Sequence, residues 1–125
     1  MESSRDGPTR GIEIVRAPMP LARLRSLAEG MFGDLVKAVV DVGQGTMAVG
    51  GELHADEEAL LITEGSSQGD LWGINLYPDR HGGPDFVEFD SMINLRPSQG
   101  NRSRSIDDPA RQAAIVEIVA RLVRP

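Results

Sequence analysis

The sequence predicts an α+β domain: a mainly antiparallel sheet of about five strands with two main helices laid on one face. Three observations predict it. Apolar residues recur at three- and four-residue steps in two stretches, near 21–32 and 109–123. Between them lie short β-branched runs that alternate at period two. Turn residues then separate these runs closely enough for sequence neighbours to pair antiparallel, with no internal repeat.

Residues 1–10 are polar, contain Gly7 and Pro8 and show no periodicity, so they are expected to be a disordered tail before one domain at 11–125. Gly11 to Ala17 alternates weakly, which suggests an edge strand stopped by Pro18 and Pro20. Leu21, Leu24, Leu27, Ala28, Met31 and Phe32 then form the apolar stripe of a helix, and Gly33 suits the left-handed residue after its end. Leu35–Val42 and Thr46–Gly50 read as a hairpin around Gly43-Gln44-Gly45.

The stretch 56–64 fits two elements. Asp56 would cap a short helix with Glu57 and Glu58 in its first turn, or Ala59–Thr63 would be a buried strand; the helix is the preferred reading. Leu71–Tyr77 and Phe86–Leu95 read as two more strands, joined by a turn-forming connection at 78–85. Arg96–Ser105 is too poor in apolar residues for a regular element. Asp107 or Asp108 caps the last helix, with Pro109 at its start and Ile115, Ile118, Val119, Leu122 and Val123 as its buried stripe. The expected order is β-α-β-β-(short α)-β-β-α.

At 125 residues the chain suits one domain with a core that needs no staples. Its 40% apolar and 26% charged residues are globular composition, and with 4% aromatics the core must be mainly aliphatic. The absence of cysteine excludes a disulfide scaffold, a cysteine nucleophile and cysteine-based metal sites. It also fits a reducing cytoplasm. No secretion signal opens the chain and no apolar run approaches a bilayer span, so a soluble, cytoplasmic protein without a membrane partner is expected.

The net charge of −6 argues against general nucleic-acid binding. The charge is unevenly placed. Residues 51–90 hold ten acids and one base, whereas residues 91–125 hold six bases and three acids.

Two polar segments are candidate sites. In the first, His54, Asp56, Glu57 and Glu58 supply imidazole and carboxylates that suit a divalent metal or acid–base catalysis, although no HExxH pattern holds them. The structural alternative is a helix start with acids placed for its dipole. In the second, Asn94, Arg96, Ser98, Gln99, Asn101, Arg102 and Arg104, with Asp90 on the preceding strand, form an arginine-rich loop running into the last helix. Arginine suits bidentate recognition of phosphate or carboxylate, and a helix N-terminus favours anions. The structural alternative is that Arg96, Arg102 and Arg104 bridge to the acidic 51–90 region and tie the loop down. Asn75, Asp90 and Asn94 are also unusual in strand-like runs and need partners or a cleft. No GxSxG elbow holds any serine.

The runs MFGDLVKAVVD, MAVGGELHADEEALL, LWGINLYP and EFDSMINLRPSQGNRSR resemble those of a small prokaryotic domain family of unknown function, over roughly residues 12–123. The resemblance implies a stand-alone prokaryotic protein with the tail outside the shared region, and it brings no activity or cofactor with it. From the residues, the leading expectation is a protein that binds a small anion, a phosphate or nucleotide, through the arginine loop. The alternatives are a metal-assisted hydrolase centred on His54, Asp56 and Glu57 or Glu58, and an interaction module that uses the sheet face or an edge strand, with homo-oligomers among its forms.

Overall fold

The computed structural model describes residues 7–125; residues 1–6, and with them most of the expected tail, lie outside the described residues. The elements run β1 (Glu13–Val15), β2 (Met19–Pro20), α1 (Leu21–Glu29), β3 (Val36–Asp41), β4 (Thr46–Val49), α2 (His54–Thr63), β5 (Leu71–Leu76), β6 (Val87–Glu88), α3 (Pro109–Leu122) and β7 (Val123–Arg124). Five of the strands make one antiparallel sheet in the order β1-β4-β3-β5-β6. The other two, β2 and β7, form a small parallel pair that the sequence pattern did not signal. The fold is α+β with three helices and a mainly antiparallel sheet, as expected, and the order of the larger elements is the expected one.

Alternation sorts the strands' side chains onto two faces. Val36, Ala38 and Val40 of β3, Met47 and Val49 of β4, and Trp72, Ile74 and Leu76 of β5 meet Leu24 and Ala28 of α1 and Ile115, Val119 and Leu122 of α3. That is the larger core. Val39, Ala48 and Leu71 point the other way, onto Leu60 and Leu61 of α2 and onto Ile12. All six residues of β5 are buried, the pattern of a strand covered on both faces. The short helix therefore adds a partial third layer to the two expected.

Local chemistry accounts for most element ends. Pro20 precedes the first turn of α1, where its missing N–H costs nothing. The helix stops at Glu29, sooner than the apolar stripe suggested, and leaves Met31 and Phe32 exposed. Gly33, at φ +93°, closes the end by donating its N–H to Ala28 O at 2.7 Å. Asp108 caps α3 by accepting from Ala110 N–H at 2.9 Å, and Pro109 fills its first position. The stretch at 56–64 is helical, but Asp56 is not its cap. The helix begins at His54, with Leu53 at the cap position and Asp56 and Glu57 in the first turn. Gly7–Thr9, inside the expected tail, form a 3-10 turn.

The expected strand over Phe86–Leu95 is the main correction. Only Val87–Glu88 pair with β5, and Met92–Asn94 form a 3-10 turn instead. The reason lies opposite them, at Gly73. A Cβ there would stand 2.6 Å from both Cβ and Oγ of Ser91, so the bare backbone of Gly73 lets the chain turn in over the sheet. Asn94 then takes the place of a strand partner. Its side-chain Oδ1 accepts from Gly73 N–H at 2.8 Å, and its Nδ2 donates to Gly73 O at 2.9 Å.

Candidate functional site

The arginine-rich loop is built from its asparagines. Asn101 is 1% exposed; its Nδ2 faces the carbonyls of Asn94, Ser103 and Ser105 at 2.7–3.1 Å, while its Oδ1 accepts from Asp107 N–H at 2.7 Å. The backbones of Arg96 and Asn101 bridge each other, and Gly100 at φ +80° closes the turn between them. Asp107 accepts from Ser103 Oγ and Arg102 N–H, and these hydrogen bonds hold its carboxyl below the ordinary value.

Within this frame the three arginines differ. Arg96 has five N–H groups and five partners: Nε donates to Ile93 O, Nη1 to Gln68 O and Gln99 Oε1, and Nη2 to Leu71 O and Glu58 Oε2. Its side chain is only 10% exposed, and its ion pair with Glu58 measures 3.2 Å. Burial lowers its pKa, Glu58 opposes that and neighbouring Arg111 adds to it. Arg104 is half exposed and donates from Nε to Asp90 at 2.7 Å. Two arginines thus bridge to acids of 51–90. Arg102 is exposed, as is Ser98, and its side chain has no partner among the described residues. Gln99 reaches Gly69 O at 3.2 Å. Asn75 donates to Glu88 and to Asp90 O, while Asp90 accepts from Arg104 and Asn94 bonds Gly73 and Arg104 O, so neither Asp90 nor Asn94 takes a donor of the Arg96 side chain.

The acidic segment also diverges. Successive helix positions turn by about 100°, so the four polar groups at the start of α2 look different ways. His54 lies on the sheet with Nε2 at 2.8 Å from Ile74 O. A carbonyl only accepts, so Nε2 carries the hydrogen and Nδ1 is the nitrogen that titrates. Burial lowers the His54 pKa, against the pull of the Ile74 carbonyl, and leaves the ring neutral at neutral pH. Asp56 lines a small cavity with Glu52 and Arg10, and Glu58 pairs with Arg96. Among the described residues, no three His, Asp or Glu side chains converge to hold a metal ion.

Glu57 is the unexpected member. It is fully buried, with Oε2 accepting from Gly51 N–H at 2.9 Å and Oε1 without a partner. A Cβ on Gly51 would stand 2.8 Å from Glu57 Cγ, so the glycine makes room for the carboxyl. Burial pushes the Glu57 pKa well above its ordinary value, and the Gly51 bond and Lys37 only partly offset this. A raised carboxyl pKa gives the folded state more protons than the unfolded one. Its stabilising contribution is complete below the unfolded pKa and is lost as pH rises through the folded one. Glu57→Gln keeps the Gly51 acceptor and removes the charge. Its stability relative to the wild type is expected to improve with pH, by about 1.4 kcal/mol per unit in the window between the two pKa values. Urea denaturation of both proteins at several pH values measures it. His54 has the opposite pH trend but is common to both proteins and cancels.

A larger concavity lies elsewhere, where β6 meets the C-terminal half of α3. This groove holds about 520 Å³ and is walled by Phe86, Val87 and Phe89 on one side and Val116, Val119 and Val123 on the other. His81 packs edge-on against Phe86 at 4.9 Å, and Arg124 also lines the groove. The strand beside it is the open edge of the sheet. Tyr77 N–H donates to Phe86 O, which makes Tyr77 and Phe86 a bonded pair; Leu76–Val87 is then the non-bonded pair next to it. The N–H and C=O of Val87 therefore point away from β5, to the open side. Sequence reasoning missed this site because it took residues 86–95 as one long strand and did not place α3 beside it.

A family model described as protein of unknown function (DUF5674) matches residues 13–122. The chain belongs to the DUF5674 family. The match begins at β1 and ends with α3, so the DUF5674 region contains the whole five-stranded sheet, the arginine loop and most of the groove. No curated protein and no solved structure matches the chain. No helix among the described residues is long and apolar enough to cross a membrane.

Proposed function

We propose that this DUF5674 protein is a non-catalytic binding protein that takes an extended, apolar peptide segment along β6, in the groove against α3. The observation that carries it is the outward-facing N–H and C=O of Val87 at the mouth of an apolar groove of about 520 Å³. An extended chain supplies both backbone partners and alternate apolar side chains, which is how strand addition combines affinity with specificity. Arg124 on the groove wall favours a segment that carries an acidic residue. A prokaryotic cytoplasm is the setting we assign, in keeping with the cysteine-free composition.

Other readings have less geometry behind them. For a small anion at the arginine loop, Arg102 is the exposed guanidinium without a partner among the described residues, while Arg104 already faces Asp90 and Arg96 has no donor left. For a metal-assisted hydrolase, His54, Asp56 and Glu58 point to three different places.

The test is selection of binders from a random peptide library on the immobilised full chain. Peptides of alternating apolar residues are expected. Val116 is 46% exposed, so Val116→Asp should fold normally while setting a charge on the groove wall. Binding of the selected peptides should fall at least tenfold, about 1.4 kcal/mol. A library without binders, or binders indifferent to Val116→Asp, ends this reading.

A further inference from the structure

Glu88 follows Val87 on the open edge of the sheet, and its side chain takes the other face. The register pairs Val87 with Leu76, whose side chain lies in the core with α1 and α3, and pairs Glu88 with Asn75 on the opposite face. Asn75 Nδ2 donates to Glu88 Oε1 at 2.8 Å, and the Tyr77 hydroxyl donates to the same oxygen at 3.0 Å. Burial and this bond both raise the Tyr77 pKa, so the hydroxyl keeps its proton and stays the donor. Two neutral donors thus fix the Glu88 carboxylate in place without supplying a counter-charge.

The cations around it are engaged elsewhere. Lys37 continues the same row on β3, opposite Asn75, but its Nζ stands 5.1 Å from the centroid of the Phe32 ring. The guanidinium carbon of Arg80 lies 4.3 Å from the Tyr77 ring centroid, and Arg104 pairs with Asp90 at 2.7 Å. Among the described residues no cation forms an ion pair with Glu88. Glu88 also belongs to the stretch 51–90, whose ten acids and one base attract positive charge.

Strand addition brings a partner residue to this carboxylate. Hydrogen bonding alternates along an antiparallel strand, so a segment bonded to the N–H and C=O of Val87 meets Glu88 in a non-bonded pair. There the Cα atoms stand about 4.5 Å apart and the side chains are closest. Directly opposite residues share a face, so this neighbour's side chain lies beside Glu88 while the residue opposite Val87 enters the groove. In antiparallel addition, the mode of every other pair in this sheet, the neighbour comes immediately before the groove residue.

We infer that the segment bound along β6 carries a lysine or arginine that pairs with Glu88, followed at once by the apolar residue that fills the groove against α3. The inference rests on strand addition at this edge and adds the residue type that the second face of the sheet selects. Arg124 stands on the groove side, so the two charges read opposite faces of the segment. Opposite charges across a strand pair attract and like charges repel, so an acidic residue in the place beside Glu88 is disfavoured.

The experiment selects a random peptide library twice, on the immobilised wild type and on Glu88→Lys. Wild-type peptides are expected to carry lysine or arginine immediately before an apolar residue, and Glu88→Lys peptides an acidic residue in that place. A wild-type-selected peptide, titrated by calorimetry, should bind Glu88→Gln about two- to fivefold more weakly, the size of one cross-strand charge pair. That difference should shrink at high salt. Glu88→Gln keeps an oxygen for Asn75 and Tyr77, so its Tm should match the wild type. Peptides that Val116→Asp rejects but that lack the basic residue, or that bind Glu88→Gln unchanged, overturn this inference and leave the groove reading standing. A library without binders removes both.

Discussion

Replacing Asn94 with alanine is expected to cost about 4 kcal/mol, the largest single effect in the molecule. The side chain is fully buried and makes three hydrogen bonds, to Gly73 N–H, to Gly73 O and to Arg104 O. Alanine removes them and leaves one buried donor and two acceptors behind, each of which costs about 1–3 kcal/mol when unsatisfied. Water entering the space would recover part of that. Asn94→Asp tests the mechanism. Its carboxylate still accepts from Gly73 N–H but faces the two carbonyls with no donor, so it should be no better than alanine at neutral pH. Equilibrium urea denaturation reads both variants. A loss below about 1 kcal/mol for Asn94→Ala would mean that β5 does not depend on this side chain for its edge.

Arg96→Ala should be the next most damaging change, at about 3 kcal/mol. Five hydrogen bonds vanish, three backbone carbonyls lose a donor, and Glu58 stays behind with only 14% of its side chain exposed. Breaking an ion pair from one side is worse than never having it, because the remaining charge is stranded. The Trp72 ring also loses one of the two cations over it. Arg96→Lys should recover only a minor part, since an ammonium cannot replace the guanidinium fork. Arg102→Ala, with an exposed side chain, should stay within about 0.5 kcal/mol of the wild type. Thermal unfolding separates these outcomes readily. At this size about 3 kcal/mol shifts Tm by roughly 10 °C. Equal effects at Arg96 and Arg102 would contradict the division of roles within the loop.

Both predictions concern residues whose importance the sequence signalled without revealing its kind. Asn94 and Arg96 stand out as polar groups in a strand-like run. What they do depends on partners far along the chain: Gly73 is 21 residues from Asn94, and Glu58 is 38 from Arg96. Periodicity carries no information at that range. It did carry the hairpin of β3 and β4, the stripe of α3 and a helix start at Pro109 capped by Asp107 or Asp108, because those follow from neighbours within a turn or two. The alternation in Phe86–Leu95 misled for the same reason. The pattern of a strand persists there, but Gly73 lets the chain turn inward and the Asn94 amide does the pairing in place of backbone.

The acidic segment shows the converse. A helix start with two acids in its first turn was legible, yet nothing in the pattern distinguished Glu57, buried against Gly51, from Glu58, paired with Arg96. Which cation finds an acid is settled by the fold, not by the count of charges.

The measurement that tests the central claim most directly is amide hydrogen exchange at Val87 in the wild type, with and without a library-selected peptide, set beside the binding of that peptide to Val87→Pro. Proline on this edge strand removes the outward N–H, which β5 does not use, and leaves the groove's walls in place. The account predicts that the peptide slows exchange at Val87 in the wild type, and that Val87→Pro unfolds at nearly the same temperature but binds at least tenfold more weakly. Peptide binding that leaves Val87 exchange unchanged, and that survives in Val87→Pro, would contradict strand addition as the function of this face.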